Sequence, residues 1–465
     1  MADEAAAEFD IVVVGGGPAG YATALYGAAA GLNIALVEDR RVGGTCLHRG
    51  CIPAKELLQT AEVLRTVQTA SEYGVNSDVP TLDLAQAQVR KQKVVDQITK
   101  GLESLLAGRK VTVLIGRGEM VDAHTVRVTQ AEGTTQLTAT NIVIATGSEA
   151  RSLPGLEFDG TRVLSSDHVL ELTELPPRVA IIGGGVVGCE FASMLVDMGS
   201  SVTMLEALPR ILAGTDIDAG NVVARSFRKR GIDMHFDVRV TGIEGARELV
   251  VTWEAAEQEK SVTVDVVIVS VGRAPTSYGI GLEATGVDVD DRGFVVVDDH
   301  MRTNVDGVFA GGDVVDTPAL AHVGFAEAIV IVKTILGEPV LPVDYGKVPW
   351  GIYTQPEIAY CGLTEEQARE QFGEIEVSKA RFGGDARAVI LGETDGLVKL
   401  VADGDGTVVG VHIAGPWATE LLGEGYLSVN WEASAADLAA LIHPHPTLGE
   451  MIGEAALALT GRRLH

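Results

Sequence analysis

Apolar runs, a glycine turn and an alanine-rich stretch follow one another near the start of the chain. An apolar run over residues 9–14 leads into glycines at 15–20, and a second run over residues 33–38 ends in a carboxylate. Continuous apolar runs of this length predict buried parallel strands, and the alanine-rich stretch between them predicts a helix of about three turns. The pattern therefore predicts a strand–helix–strand unit.

The glycine turn of this unit has the spacing of a dinucleotide-binding loop. Gly15 permits a tight turn, Gly17 lets the backbone approach a pyrophosphate, and Gly20 allows the helix to lie close to the strand. The start of the helix supplies unpaired N–H groups and a partial positive charge. Glu38, at the end of the second strand, is expected to accept hydrogen bonds from ribose hydroxyls. One such turn is weak evidence, because glycine turns are common in loops.

The same pattern occurs a second time, at the same spacing. An apolar run over residues 178–182 leads into a glycine turn at 183–188, and a second run ends at Glu206. Two complete copies predict two dinucleotide sites, which implies electron transfer between two cofactors. The second set of candidate residues is Gly183, Gly185, Gly188 and Glu206.

Each copy is followed by a further apolar run that ends in glycine. These runs carry Thr146 and Gly147 after the first copy and Gly272 after the second. In the second copy the carboxylate of Glu206 would repel a 2'-phosphate, which favours NAD over NADP. Arg210 is close enough in sequence to leave that choice open.

Length and charge indicate the number of domains and exclude some classes of binding partner. A chain of 465 residues suggests roughly three domains. The net charge of −28 and the aromatic share of 5% disfavour nucleic acid and anionic membrane surfaces as partners. Residues 11–37 carry no charge and could be taken for a membrane span, but their glycine cluster favours a buried strand, turn and helix.

The N-terminus and the cysteine content suggest a cytoplasmic protein. The sequence MADEAAAEFD lacks the basic and then apolar order of a secretion signal. Four cysteines are too few for a disulfide scaffold, so a close pair is expected to be catalytic or metal-binding.

One close pair is formed by Cys46 and Cys51. On an ideal helix these residues would stand about 140° apart, so joining their sulfurs requires a distorted turn, for which Gly50 and Pro53 are suitable. The ring closed by such a bridge is short and easily reduced. A following helix and the nearby Arg49 or Lys55 would favour the thiolate form. Half of a zinc site is the alternative, but the other cysteines are isolated in the sequence.

The segment GGTCLHRGCIPAK, residues 43–55, resembles the redox site of the pyridine nucleotide-disulfide oxidoreductases, the family of dihydrolipoamide dehydrogenase, glutathione reductase and mercuric reductase. The similarity covers essentially the whole chain. It implies FAD and a nicotinamide cofactor, an outer thiol that exchanges with substrate and an inner thiol that faces the flavin. The residues that take these roles, or contact the flavin, are Cys46 (outer), Cys51 (inner), Gly44, Thr45 and the pair Lys55 and Glu190.

Two later segments gain a meaning from the same resemblance. Residues 308–313 could be a surface turn, but they resemble the family's second flavin motif, in which Asp313 would hold the ribitol chain. Residues 441–450, LIHPHPTLGE, could be a loop or a partial metal site, but they resemble the family's HxHPTxxE signature. There His445 would be the acid/base and Glu450 would orient its imidazole.

The resemblance also implies the architecture. We expect an α/β fold with two Rossmann-like dinucleotide-binding domains and a C-terminal α+β dimerisation domain, in which His445 reaches the disulfide of the neighbouring subunit in a homodimer. The expected segments are an FAD-binding domain at 1–151, an NAD-binding domain at 152–273, the second part of the FAD-binding domain at 274–344 and the interface domain at 345–465.

Within the family, the HPHPT stretch, the Ile52–Pro53 pair and Glu206 favour the dihydrolipoamide dehydrogenase branch. That branch implies oxidation of dihydrolipoamide by NAD, with lipoyl domains and the E2 core of 2-oxo acid dehydrogenase complexes as partners. The departures His48–Arg49, Ala54 and Gly449 leave the disulfide substrate open, and mycothione reductase remains an alternative. A flavin quinone reductase and a docking subunit are alternatives of other classes.

Overall fold

The computed structural model describes residues 8–245 and 248–464, which fall into two compact units. Unit 1 comprises residues 1–57, 85–151 and 272–345, and unit 2 comprises residues 58–84, 152–271 and 346–465. Most of the acidic N-terminal segment used above to infer location lies outside the described residues. The predicted division into four segments stays a prediction.

The helices run as follows: α1 Pro18–Ala29, α2 Gly44–Arg49, α3 Cys51–Thr69, α4 Leu84–Gly108, α5 Ser166–Val169, α6 Val186–Met198, α7 Ile217–Lys229, α8 Leu282–Thr285, α9 Ala321–Ile335, α10 Glu365–Phe372, α11 Ala386–Leu391, α12 Ala418–Asn430, α13 Ala435–Ala439 and α14 Glu450–Leu459. Along the part of the chain that the structure describes, none of them is long and apolar enough to cross a bilayer.

The strands of the first half of the chain are β1 Phe9–Val14, β2 Ile34–Glu38, β3 Thr112–Ile115, β4 Arg117–Asp122, β5 Thr125–Gln130, β6 Gly133–Ile144, β7 Ser148–Ala150, β8 Val163–Leu164, β9 Arg178–Ile182, β10 Ser201–Leu205 and β11 Asp233–His235. The later strands are β12 Arg239–Glu244, β13 Leu249–Ala255, β14 Gln258–Val264, β15 Val266–Val269, β16 Arg273–Pro275, β17 Val308–Ala310, β18 Trp350–Ile352, β19 Glu357–Gly362, β20 Ile375–Arg381, β21 Leu397–Asp403 and β22 Val408–Gly415.

Unit 1 is built around a sheet with the order β3-β2-β1-β6-β5-β4, with β17 paired to β6. β1 lies between β2 and β6 and is parallel to both. Ile11, Val12 and Val13 are fully buried, because apolar layers cover both faces of the sheet. The predicted strand–helix–strand unit is confirmed as β1, α1 and β2, so the glycine turn lies at the carboxyl end of a central strand.

Unit 2 contains a second parallel sheet, an antiparallel sheet of order β12-β13-β14, and a further antiparallel sheet near the C-terminus. The parallel sheet has the order β11-β10-β9-β15-β8, with β9 between β10 and β15. The second predicted unit is confirmed as β9, α6 and β10. Residues 350–415 form an antiparallel sheet of order β18-β19-β22-β21-β20, whose apolar core includes residues of α12 and α14. The predicted α/β fold class, with a C-terminal α+β region, is confirmed.

Candidate active site

The glycine loop of unit 1 is shaped for close approach of a ligand to the backbone. Gly15 has a φ of 108°, and a Cβ atom on Gly20 would overlap the carbonyl oxygen of Gly15. Gly17 is the N-cap of α1, no side chain caps that helix, and a Cβ on Gly17 would come no nearer than 4.0 Å to Gly44. The N–H groups at the start of α1 therefore face a space that suits a pyrophosphate.

Glu38 braces this loop. Its carboxylate is 7% exposed and accepts hydrogen bonds from the backbone N–H of Gly16 at 2.7 Å and of Arg40 at 3.0 Å. Burial raises the pKa of Glu38, and the two backbone hydrogen bonds oppose that rise. The loop and the carboxylate are thus preorganised before a ribose binds. The ribose contact itself stays a prediction.

Unit 2 repeats this geometry at the second glycine loop. Gly183 has a φ of 106°, a Cβ on Gly188 would overlap the carbonyl oxygen of Gly183, and a Cβ on Gly185 would meet open space. Glu206 is 9% exposed and accepts hydrogen bonds from the backbone N–H of Gly184 and, at 2.7 Å, from that of Leu208.

Arg210 does not present its guanidinium as a phosphate ligand. It donates hydrogen bonds to the backbone oxygens of Leu212 at 3.0 Å, Ala213 at 2.7 Å and Thr215 at 2.8 Å. Because these bonds commit the guanidinium to its own loop, Arg210 no longer weakens the argument for NAD that rests on Glu206.

Cys46 and Cys51 lie on two successive helices of unit 1. Cys46 is in the short helix α2, and Cys51 is the first residue of α3. Gly50, between the helices, has φ −144° and ψ −113°, so the helix is interrupted there, as the sequence predicted. Thr45 lies beside this break, since a Cβ on Gly50 would stand 3.0 Å from its carbonyl oxygen.

The two thiols differ in their protonation. A hydrogen bond to Cys51, together with burial, raises the pKa of the Cys46 thiol well above its usual range, although the charge of Lys55 acts in the opposite direction. The expectation that both thiols favour the thiolate form is therefore wrong for Cys46. Losing its proton would place a second negative charge beside Cys51.

Tyr21 is a neighbour of the sulfurs that the sequence reasoning missed. Burial raises the pKa of Tyr21 to about 12, and the charges of Cys46 and Cys51 add to the rise. Its ring centroid lies 5.7 Å from that of Phe325. The phenol is neutral at physiological pH and lies close enough to the pair to sense its charge. Its position directly after Gly20 was the available signal.

The segment before the cysteines packs against the glycine loop. The backbone N–H of Gly43 donates to the carbonyl oxygen of Gly16 at 2.8 Å, and a Cβ on Gly44 would lie 2.6 Å from the Cα of Gly17. Gly44 and the glycine loop are therefore held together. The first cradle, which is the glycine loop of unit 1 together with Glu38, thus lies directly beside the segment that carries the redox pair.

Asp313 lies in a polar cluster of unit 1. Ser148 donates a hydrogen bond to Asp313 at 2.6 Å, and Arg273 lies 3.6 Å from the same carboxylate. The buried Glu327 fixes the preceding residue by accepting a hydrogen bond from the N–H of Gly312 at 2.6 Å.

Three other predicted residues border this cluster. Gly147, with a φ of 72°, accepts from the N–H of Thr276 at 2.9 Å, and Thr146 donates its hydroxyl to the carbonyl of Thr276 at 2.6 Å. Gly272 lies in unit 1, where its carbonyl accepts from the N–H of Arg151 at 3.1 Å. Gly272 ends the apolar run that follows the second glycine loop, and its part in holding NAD stays a prediction.

Lys55 and Glu190 are each placed in a defined environment. Lys55 is close enough to Cys46 to lower the pKa of that thiol, while Glu190 is 6% exposed on α6 and accepts a hydrogen bond from the N–H of Tyr353 at 2.9 Å. The sequence could not indicate the Tyr353 bond, because a backbone donor leaves no mark on residue type. The pairing of Lys55 with Glu190 stays a prediction.

His445 and Glu450 form a hydrogen-bonded pair. The Nδ1 atom of His445 lies 2.8 Å from Glu450 Oε2, and the second carboxylate oxygen accepts from the N–H of Thr447 at 2.5 Å. Burial opposes ionisation of Glu450, but the bonds from His445 and Thr447 outweigh it and hold the pKa of the carboxyl below its usual range. An ionised carboxylate on Nδ1 leaves Nε2 as the atom that can accept a proton.

Comparison with known proteins identifies the family of this chain. The family model described as "Pyridine nucleotide-disulphide oxidoreductase" matches residues 9–328, and the dimerisation domain of the same family matches residues 348–456. The chain belongs to the pyridine nucleotide-disulfide oxidoreductase family.

Members of this family with similar sequences are dihydrolipoyl dehydrogenases. That of Bacillus subtilis (strain 168) is 38% identical over 99% of this chain and 100% of its own length, and that of Chlamydia pneumoniae is 39% identical over 98% of each. Among solved structures, LpdA from Mycobacterium tuberculosis has a TM-score of 0.91 and 27% identity, covering 97% of this chain and 99% of that one. The HOCl-induced flavoprotein disulfide reductase RclA from Escherichia coli has a TM-score of 0.85 and 28% identity, covering 96% of this chain and 99% of that one.

Membership of the pyridine nucleotide-disulfide oxidoreductase family fixes the cofactors and the assembly class. The family uses FAD and NAD(H), and its dimerisation domain supports a homodimer. The residues of this chain fit two dinucleotides. Both glycine loops exclude a Cβ at Gly20 and Gly188, and both leave the helix N-terminus without a side-chain cap.

Proposed function

We propose that this enzyme oxidises protein-bound dihydrolipoamide to lipoamide and reduces NAD, with Cys46, Cys51 and His445 as its catalytic residues. The observation that carries the proposal is the placement of the two cysteines on either side of the helix break at Gly50, with Cys46 in α2 and Cys51 at the start of α3. Relatives of nearly equal length that are named dihydrolipoyl dehydrogenases support this choice of substrate.

In the proposed reaction, His445 accepts the proton of one substrate thiol. The resulting thiolate sulfur bonds to Cys46 as the Cys46–Cys51 bond breaks, and Cys51 leaves as a thiolate. The second substrate sulfur then displaces Cys46 and closes the lipoamide disulfide, and its proton passes to the departing Cys46 sulfur while His445 keeps the first proton. The substrate has then lost two electrons, and the cysteine pair has gained them.

Two sets of residues in this chain would hold the cofactors. Bound FAD and NAD supply a path for the electron pair from the cysteine pair to the nicotinamide. In this chain, Gly15, Gly17, Gly20, Glu38, Gly44, Thr45, Thr146, Gly147, Asp313, Lys55 and Glu190 are the residues that we expect to hold the flavin. The corresponding residues for NAD are Gly183, Gly185, Gly188, Glu206 and Gly272.

Glu450 keeps His445 effective as a base. By accepting the Nδ1 hydrogen it fixes the tautomer and stabilises the imidazolium that forms. The side chain of His445 is 70% exposed in the single chain, which suits a residue that acts on the disulfide of a partner subunit. We therefore propose a homodimer whose active sites each combine cysteines of one protomer with His445 of the other.

The proposed partners are lipoyl domains and the E2 core of 2-oxo acid dehydrogenase complexes, and the proposed location is the cytoplasm. The partners follow from the substrate, because lipoamide in such complexes is attached to a protein. The location rests on the cysteine usage of the sequence.

A substrate comparison tests the proposal. Rates with dihydrolipoamide, mycothiol disulfide, glutathione disulfide and quinones are measured in parallel, with NAD(H) and NADP(H). We expect the lipoamide couple with NAD(H) to have the highest kcat/KM, and His445→Gln to slow it about 100-fold to 10,000-fold. A higher kcat/KM for mycothiol disulfide or for a quinone would contradict the proposed substrate.

A further inference from the structure

A second histidine–carboxylate pair lies beside the first. His443 Nε2 is 3.0 Å from Oε1 and 3.2 Å from Oε2 of Glu424, a residue of α12. Because an ionised carboxylate only accepts hydrogen bonds, Nε2 of His443 carries the hydrogen. The His443 side chain is 14% exposed, against 70% for His445, so the two histidines of the HPHP segment have opposite environments.

The imidazole of His443 is also fitted against α14. A Cβ atom on Gly453 would stand 2.7 Å from His443 Nδ1 and 2.8 Å from its Cε1 atom. Gly453 lies inside α14, where glycine weakens a helix by about 1 kcal/mol relative to alanine. The missing side chain makes room for the ring, which is held between Glu424 on one side and the backbone of α14 on the other.

The chain between the two histidines is short and stiff, so holding His443 in place also restricts the position of His445. Pro444 alone separates them, and Pro446 follows His445, so both neighbours of His445 have a restricted φ and no N–H. On the far side, Thr447 donates its hydroxyl to the carbonyl oxygen of Pro444 at 2.8 Å and its N–H to Glu450. His445 therefore projects from a short stiff segment that is fixed at both ends.

We propose that His443 and Glu424 are positioning residues for the acid/base His445. They fix the segment on the N-terminal side of His445, as Glu450 and Thr447 fix it on the C-terminal side. Glu450 sets the tautomer and orientation of the His445 ring, and the His443–Glu424 pair sets the place of its backbone. This inference rests on the proposed role of His445 in thiol deprotonation.

Placement of a base matters for rate, because a shift of about 1 Å at a reacting group can cost about 100-fold. Loss of the anchor should therefore lower kcat for the thiol reaction. It should leave a reaction that bypasses the thiols unaffected. Transfer of electrons from NADH to ferricyanide is such a reaction, since it needs both cofactor sites but no deprotonation of a thiol substrate.

The test uses the full-length holoenzyme and four variants. His443→Leu and Glu424→Gln weaken the anchor, while His443→Gln keeps a donor close to the position of Nε2. Asp233→Asn is the matched control, because Asp233 also accepts from a histidine, His235, at 3.0 Å, but lies on β11. For His443→Leu we expect kcat with dihydrolipoamide to fall 10-fold to 100-fold, with NADH–ferricyanide activity within twofold of wild type.

Rescue and non-additivity separate positioning from general damage. His443→Gln should recover most of the thiol-dependent rate, and His443→Leu combined with His445→Gln should be no slower than His445→Gln alone. Equal losses in the thiol and ferricyanide reactions, or a wild-type thiol rate in His443→Leu, would overturn the inference. If His445→Gln itself retained full thiol turnover, the proposed base would be wrong, which is a different result from failure of its anchor.

Discussion

The two glycine loops of this enzyme, one in each unit, have almost the same internal geometry. In both, the first glycine has a φ near 107° and its carbonyl oxygen excludes a Cβ on the last glycine. In both, a buried glutamate accepts a hydrogen bond from the middle of the loop, Glu38 from Gly16 and Glu206 from Gly184. The common geometry indicates one structural solution for holding a dinucleotide, used twice.

The segments that follow the two loops differ. In unit 1 the backbone N–H of Gly43 bonds to the loop and the chain continues into α2 with Cys46. In unit 2 the equivalent bond comes from the N–H of Leu212, and the chain continues into a loop closed by Arg210. The two loops therefore share one internal geometry, and they differ in the segment that follows, which carries the cysteine pair in unit 1 and no cysteine in unit 2.

The largest effect is expected at the redox segment, which has no counterpart in unit 2. Cys51→Ser removes the sulfur that must leave as a thiolate, so turnover of dihydrolipoamide should fall about 1,000-fold or more. The NADH–ferricyanide rate is the internal control and should persist. If Cys51→Ser kept its turnover of dihydrolipoamide, the segment after the first glycine loop would have no redox role that the segment after the second loop lacks.

Alanine at the last glycine of each loop tests whether the cradles are equivalent. Gly20→Ala and Gly188→Ala each force a Cβ onto a carbonyl oxygen, at a cost of about 1–3 kcal/mol or more. We expect Gly20→Ala to lose flavin, as measured by absorbance per chain, and Gly188→Ala to keep flavin but bind NADH weakly. Gly101→Ala is the control, because a Cβ there meets open space. Equal flavin loss in both variants would contradict separate assignments of the two loops.

The preference for NAD over NADP should change on substitution of Glu206 but not on substitution of Glu38. Glu206→Gln removes a negative charge, so the ratio of kcat/KM for NAD over NADP should fall about 10-fold to 100-fold. NADP should still not be preferred, because Arg210 is bonded to three carbonyls of its own loop. In the equivalent change in unit 1, Glu38→Gln, the ratio should stay unchanged. A clear preference for NADP in Glu206→Gln would show that Arg210 is available to a phosphate.

The smallest effect is expected in the pH dependence of stability that Glu450 contributes through its bond to His445. Both residues lie in unit 2. Hydrogen bonds place the pKa of Glu450 below its usual range, so its folded pKa is lower than its unfolded value of about 4.3. Its contribution to stability is therefore present above pH 4.3 and is lost as the pH falls through the lowered pKa. The Tm difference between wild type and Glu450→Gln should shrink in that acidic range and stay constant between pH 6 and 8. A difference that instead vanished near pH 7 would contradict the lowered pKa.

The sequence predicted those parts of the site that short-range patterns determine. Both strand–helix–strand units were found because buried parallel strands are continuously apolar and because the glycine positions are dictated by backbone contacts. The break at Gly50 was expected from the spacing of the cysteines. The thiolate expectation was wrong for Cys46, because the spacing cannot show that the second sulfur and burial outweigh Lys55.

Side-chain partners far apart in sequence could not be predicted. The buried Lys399 bonds to Asp216 at 2.8 Å and to Asp218 at 2.7 Å, and the composition gives no sign of these pairs. The same holds for the contact between His443 and Glu424. Such contacts are decided when separate elements pack, and the residue types alone are equally compatible with an exposed charge.

The central claim is that the sulfurs of Cys46 and Cys51 open and close in each turnover. The most direct test is to reduce the purified yellow enzyme with one equivalent of NADH, alkylate it, map the modified cysteines and assay it. We predict that modification at Cys46 or Cys51 requires prior reduction and abolishes dihydrolipoamide turnover, while NADH–ferricyanide activity remains. A colourless protein, or one that keeps full thiol turnover with both sulfurs alkylated, would contradict the claim.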